Sequence, residues 1–383
     1  MRRDSSVATS FDLPASLRGI LPSQWLQRAV DQGVITSERY RIPASSIQPA
    51  SVDLRLGETA YRLRCSFLPE GARIETKLAE LSMGQIDLRD GAILERNRPY
   101  LIPIIEELDL PARVAARTNP RSSTGRLDIF TRVITDEGHS FDEVPAGYRG
   151  RLYLELVSRT FTVFVRSELS LNQLRLQVGK SRRDDTEVVA LHAEDPILFS
   201  GAEAVPPGEL VLADGLFLSV DLVGKDDGQV GFRAKKNSQL LDLTKRDHYD
   251  PEDFWEPVHR ERGNRLVLEP EEFYLLISKE RVRIPPGYSA EMTAYDPTSG
   301  ELRTHYAGFF DPGFGHTPGL AKQGSKAVME VRAHDVPFML QHGQRVAKLV
   351  FEKLAEEPTI LYGQDIGSSY QHQERMLSKH FRA

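Results

Sequence analysis

Residues 121–127 read Arg-Ser-Ser-Thr-Gly-Arg-Leu and follow the turn signal Asn119-Pro120. Arg121 and Arg126 bring two guanidinium forks. Ser122, Ser123 and Thr124 bring hydroxyls, and Gly125 opens the backbone amides of a turn. That donor set is what a polyphosphate needs. A second stretch, 307–314, reads Ala-Gly-Phe-Phe-Asp-Pro-Gly-Phe. Its tight turn carries the carboxylate of Asp311 between aromatic flanks and suits a sugar and a base. Each stretch also has a plain reading, a solvated basic turn for the first and a capped hairpin for the second. Glu155 and Glu330 each interrupt an apolar strand pattern. A carboxylate there faces solvent, or it points into a pocket where burial raises its pKa and makes it a proton acceptor.

The elements that carry these residues occur twice. Ser51-Val52-Asp53-Leu54 is similar to Ser219-Val220-Asp221-Leu222, and Tyr100-Leu101-Ile102 to Tyr274-Leu275-Leu276. Leu152 to Leu176 aligns with Ala327 to Phe351, and Gly125-Arg126-Leu127 falls opposite Gly300-Glu301-Leu302. A register shared over so many positions indicates an internal duplication. In the second copy Asp296 stands opposite Arg121 and Glu301 opposite Arg126. Two anions in place of two cations repel phosphate, so the copies cannot bind the same anion in the same way. The first copy, conversely, lacks the Asp-Pro-Gly turn. Each copy keeps a different half of one site.

Short alternating strands punctuated by Pro-Gly pairs predict a mainly β chain with a few short helices. One helix is predicted from Ser23 as its cap, with Trp25, Leu26, Ala29 and Val30 on the apolar face and Gly33 at the stop. The expected organisation is a loose tail over 1–15, domains over 16–190 and 191–361, and a polar tail over 362–383. That tail is expected to close over phosphates and to be dispensable for folding.

Composition narrows the classes. The 383 residues are long enough for two cores. A net charge of -6 argues against coating nucleic acid, because no basic excess drives counterion release. No apolar run approaches a membrane span, and Cys65 stands alone, which excludes an intramolecular disulfide and a multi-cysteine metal site and suits a cytoplasmic protein. His192-Ala193-Glu194 and His372-Gln373-Glu374 imitate the opening of a zinc deaminase signature without its paired cysteines.

Taken together these motifs resemble the dCTP deaminase family of the dUTPase-like superfamily, in a long duplicated bacterial form. Ile20-Leu21-Pro22-Ser23 and 48–57 resemble its N-terminal signature, Arg121 to Leu127 its Arg-Ser-Ser-x-x-Arg-Leu motif, and Ala307 to Phe314 with Glu330 its sugar turn and catalytic glutamate. Tyr362-Gly363 and Ser368 to Gln373 resemble its phosphate-closing tail, although Ser369 stands where the family commonly has a lysine. The resemblance implies two tandem dUTPase-like domains, each a distorted β-barrel or jelly roll, in a homo-oligomer. It implies zinc-independent hydrolysis of dCTP to dUTP and ammonia, with Mg²⁺ carried on the triphosphate. Glu330 would be the general base, with Ser122 and Arg126 positioning water. Arg121, Ser123, Thr124, Gly125, Tyr362, Ser369, Tyr370 and Gln373 would hold phosphate, and Ala307 and Asp311 the sugar. Glu155 is the second choice for the base, because a two-domain chain does not divide evenly into a three-domain ring. A dUTP diphosphatase, a bifunctional enzyme and a non-catalytic nucleotide sensor are the rival readings.

Overall fold

The computed structural model describes residues 11–294, 302–305, 308–316, 324–333, 335–363 and 376–382. Strands dominate, and the two halves repeat one plan. In the first half the strands used below are β1 (Val52–Arg55), β2 (Tyr100–Asp109), β3 (Val114–Pro120), β4 (Ile129–Thr135), β5 (Arg149–Ser158) and β6 (Ser170–Val178). The second half supplies β7 (Leu216–Ser219), β8 (Phe273–Val282), β9 (Tyr288–Ala294), β10 (Leu302–His305), β11 (Ser325–Ala333) and β12 (Arg345–Lys353). β6 lies between β1 and β3 as β12 lies between β7 and β9, and β5 lies between β2 and β4 as β11 lies between β8 and β10. The register repeats as well. Glu155 on β5 faces Leu101 on β2, and Glu330 on β11 faces Leu275 on β8.

Apolar side chains between the sheets build the cores. Leu54, Ile102, Leu154 and Leu176 are fully buried in the first half, and Leu218, Leu276, Met329 and Leu349 in the second. The first core is not closed by its own half. Leu241, Phe254, Trp255, Phe273 and Phe381 all belong to the same apolar cluster as Leu154. The two-residue strand Leu241–Asp242 adds in parallel to Val163–Val165 of the first half. Among the described residues no helix is long and apolar enough to cross a membrane.

The halves also meet through buried charge. Arg117 on β3 and Arg175 on β6 are cross-strand neighbours, a like-charge pair that neither strand can neutralise. The second half supplies the anions. Arg117 donates to Glu291 on β9 at 2.8 Å and to Glu352 on β12, and Arg175 lies 3.5 Å from Glu352.

Two expectations are corrected here. Ser23 does not cap the first helix. Pro22 takes the cap position, the helix runs Ser23–Asp31, and the Ser23 hydroxyl instead lies 3.1 Å from that of Thr359. The chain end is not a dispensable tail either. Phe381 is fully buried against Tyr249, Phe254 and Trp255, because a large aromatic ring there completes the first core. At the other end Phe11 packs edge-on against Trp25.

Candidate active site

β3 delivers the chain to Pro120, and the Arg121 amide is still paired to the carbonyl of Leu171 at 3.0 Å. The backbone then makes one short helical turn, Ser122–Gly125. Asp128 reverses it at a left-handed φ of 58°, which Asp tolerates better than most residues. The Arg121 guanidinium donates to Asp53 on β1. Arg126 is buried, and its Nη1 donates to the carbonyl of Met376 at 3.2 Å.

Glu330 comes from the middle of β11 in the other half, and its carboxylate lies against this turn. A Cβ placed on Gly125 would sit 2.8 Å from Glu330 Oε1, closer than Cβ atoms come in practice, and 3.0 Å from Oε2. A side chain at 125 would therefore have to push the Glu330 carboxylate aside. Burial pushes the Glu330 carboxyl well above the ordinary carboxylate range. The nearby Arg126 pulls it down, and Asp128 pushes it up. Asp128 is itself fully buried and accepts from Thr160 and from Arg332, two residues beyond Glu330 on β11.

The Asp-Pro-Gly turn approaches from the second half. Asp311 accepts from Arg175 Nη2 at 3.0 Å, and the same guanidinium lies 3.9 Å over the Phe309 ring. Burial raises the Asp311 carboxyl, while Arg175 and Arg121 pull it down. The reach of Arg121 joins the two half-sites electrostatically. Burial also raises Asp53, to about 6, against the pull of Arg121.

The structure thus brings Arg121, Gly125, Arg126, Asp311 and Glu330 together within one chain. Ser123 and Thr124 are buried in the same turn, and Ser122 is half-buried. Tyr362 is placed otherwise. Its amide donates to the Pro312 carbonyl at 2.9 Å and its ring packs near Phe314, so it supports the Asp-Pro-Gly turn from behind. Ala307, Ser369, Tyr370 and Gln373 lie outside the described residues. Glu155 is not part of this group. It is buried against its own cross-strand neighbour Arg132, whose Nε donates at 3.2 Å. Sequence reasoning missed Asp53, Asp128, Arg175 and Arg332. Arg175 had a usable signal, a charge inside the apolar run Leu174-Arg175-Leu176, the same signal that picked out Glu330.

A buried carboxylate with raised basicity beside an arginine can accept a proton from water, and the flanking cations can hold an anion. Among the described residues no three His, Cys, Asp or Glu side chains converge as metal ligands would.

Comparison with known proteins covers both halves. A model of the 2'-deoxycytidine 5'-triphosphate deaminase (DCD) N-terminal domain matches residues 17–180, and one of the DCD C-terminal domain matches 184–381. The chain is similar to a "dCTP deaminase, dUMP-forming" of Methanothermobacter thermautotrophicus, 30% identical over 138 residues, which is 36% of this chain and 67% of that one. It is similar to a "dCTP deaminase" of Natronomonas pharaonis, 31% identical over 125 residues, covering 32% of this chain and 60% of that protein. Among solved structures, the 2'-deoxycytidine 5'-triphosphate deaminase of Agrobacterium tumefaciens superposes with a TM-score of 0.85 at 45% identity, covering 92% of this chain and all of that one.

Proposed function

The chain belongs to the dCTP deaminase family along both of its halves, and from that membership we propose that it hydrolyses dCTP to dUTP and ammonia at a site composed from the two halves. The observation that carries this reading is the Glu330 carboxylate lying against Gly125 of the Arg-Ser-Ser turn. In the proposed step water attacks carbon 4 of the cytosine ring. Glu330 takes a proton from that water and passes it to N3 of the ring, then takes the remaining proton from the C4 hydroxyl and passes it to the departing amino group, so that the carbonyl forms, the C4–N bond breaks and ammonia leaves. Burial suits Glu330 to this role, because a raised pKa makes it a stronger proton acceptor once ionised, and Arg126 helps to keep it ionised. Ser122 and Arg126 hold the water. Arg121, Ser123 and Thr124 grip the triphosphate, and Asp311 accepts from the sugar hydroxyl.

No step of this scheme uses zinc. Mg²⁺ would arrive on the substrate phosphates, since the carboxylates beside the turn, Asp53 and Asp311, are each engaged by an arginine. The matched strand order and register of the halves support a gene duplication, after which each copy kept one half of the site. A homo-oligomer in the cytoplasm is the setting we infer.

Incubation with dCTP and Mg²⁺ followed by chromatography of the nucleotides tests the proposal. Ammonia and dUTP in equal amounts are expected. Pyrophosphate and dUMP would instead indicate a bifunctional enzyme, a reading favoured by the name of the Methanothermobacter relative. Binding of dCTP without any turnover would leave a nucleotide sensor.

A further inference from the structure

Beside the Arg-Ser-Ser turn lies a cavity of about 170 Å³, lined among others by Ser123, Thr124, Thr244, Arg246, Lys379 and His380. Its walls come from four places in the chain: the turn itself, Leu169 to Leu171 at the start of β6, the segment 243–249 of the second half, and the C-terminal strap 376–382. The strap is fixed from both sides. The Ser378 hydroxyl donates to the Ser123 carbonyl at 2.9 Å, and the Asp247 amide donates to the Lys379 carbonyl at 3.0 Å. The 243–249 segment is in turn anchored to the first half, where the amide of Leu243 donates to Phe164 at 3.0 Å.

This construction gathers cations. Burial, together with the fields of Arg121 and Arg246, pushes the Lys379 ammonium down to about 7, and Asp53 is the anion acting against them. Like charges brought together beside a partly apolar floor cost free energy unless an anion joins them. Hydroxyls accompany the cations. That of Thr124 is buried and has no hydrogen-bond partner among the described residues. Three cationic groups with hydroxyl donors match a phosphoryl chain and do not match a base or a sugar.

We propose that Arg246 and Lys379, with Ser123 and Thr124, form the subsite for the distal phosphoryl groups of the substrate, so that the second half measures phosphate-chain length through a segment docked on the first. The proposal rests on the reading of the substrate as dCTP. It gives a role to a segment no motif pointed to, and it supplies a tail cation where Ser369 stands in place of the family's lysine.

The test compares dissociation constants for dCTP and dCMP in full-length chains carrying Glu330→Gln to prevent turnover. Adding Lys379→Met is expected to lower the dCMP-to-dCTP ratio about tenfold, the scale of one lost charge-assisted hydrogen bond, by weakening dCTP alone. Arg246→Ala, at an exposed position, should lower it about threefold, and Lys379→Arg should restore most of the preference. Equal weakening of both nucleotides would mean that the strap only supports the fold, and an unchanged ratio in both variants would remove the subsite. Either result overturns the proposal while leaving dCTP as the substrate. Failure of the unsubstituted protein to bind or turn over dCTP would instead refute the substrate reading on which the subsite rests.

Discussion

At the residue scale the proposed chemistry turns on one carboxylate. Glu330→Gln keeps size and removes the base, so turnover of dCTP should fall about a hundredfold to ten-thousandfold. Glu155→Gln should cost far less turnover, because Glu155 is engaged by Arg132 outside the site. Burial raises Glu330 above its ordinary value of 4.5, so the acid limb of kcat/KM should be centred above that pH, with activity lost as pH falls through it. A limb centred at or below 4.5 would count against Glu330 as base. Stability should move the other way. The folded state holds the Glu330 proton where the unfolded chain releases it, which favours folding below pH 4.5 and is lost as pH rises through the raised value. Glutamine has no proton to lose, so the denaturation midpoint of Glu330→Gln should gain on the unsubstituted protein as pH rises. Gly125→Ala puts a methyl into the Glu330 carboxylate and should abolish turnover while the fold persists by circular dichroism. The types of these residues were legible in the sequence, since a carboxylate in an apolar strand and two arginines around a glycine are unusual. Their contact was not, because Gly125 and Glu330 are separated by two hundred residues of chain. Sequence reasoning gave Gly125 a role toward phosphate and could not see that the Glu330 carboxylate lies against it.

At the element scale the mainly β character followed from alternation and turn residues, and the equivalence of β5 and β11 was readable in the repeat. What alternation cannot show is which sheet face meets the other half. Arg117 and Arg175 read as isolated charges until Glu291 and Glu352 face them. Glu352 is fully buried between two arginines, and Glu352→Gln removes the anion they share, leaving Arg117 to Glu291 and Arg175 to Asp311. Breaking a buried pair in this way should cost about 3–5 kcal/mol in denaturant titration. A cost below about 1 kcal/mol would mean that Glu291 and Asp311 alone neutralise the two arginines. The chain end failed as a sequence reading for a related reason. Its polar composition predicts a segment that orders over phosphates and is dispensable for folding, yet Phe381 is buried in the first core. Phe381→Ala should cost about 3–5 kcal/mol, and a stability unchanged by that substitution would return the strap to the periphery.

At the scale of the whole molecule the two halves are complementary in both core and site. Trp255 and Phe381 close the first core, and the turn at 121–126 receives Glu330 from the second half. The sequence already indicated that each half had kept what the other lacked, but it left open whether the halves meet within a chain or between chains. The three-domain ring kept Glu155 as the second choice for the base, whereas the fold brings Glu330 to Gly125 of the same chain. The distinction has a direct test. Arg126→Ala and Glu330→Gln should each inactivate the enzyme, since both residues belong to one pocket. If that pocket lies within a chain, every chain in a mixture of the two variants carries one defect in its own site. Co-expression, or mixing after reversible dissociation, should then restore nothing. If the pocket forms between chains, some sites in mixed assemblies draw an intact Arg126 from one chain and an intact Glu330 from another, and about a quarter of the sites recover in a random equal mixture, by combination alone, when each draws from two chains. Recovery on that scale, measured as ammonia released from dCTP, would move the site to an interface between chains. The absence of recovery would tie catalysis to the covalent connection between the halves, and loss of the linker would then cost activity as well as stability.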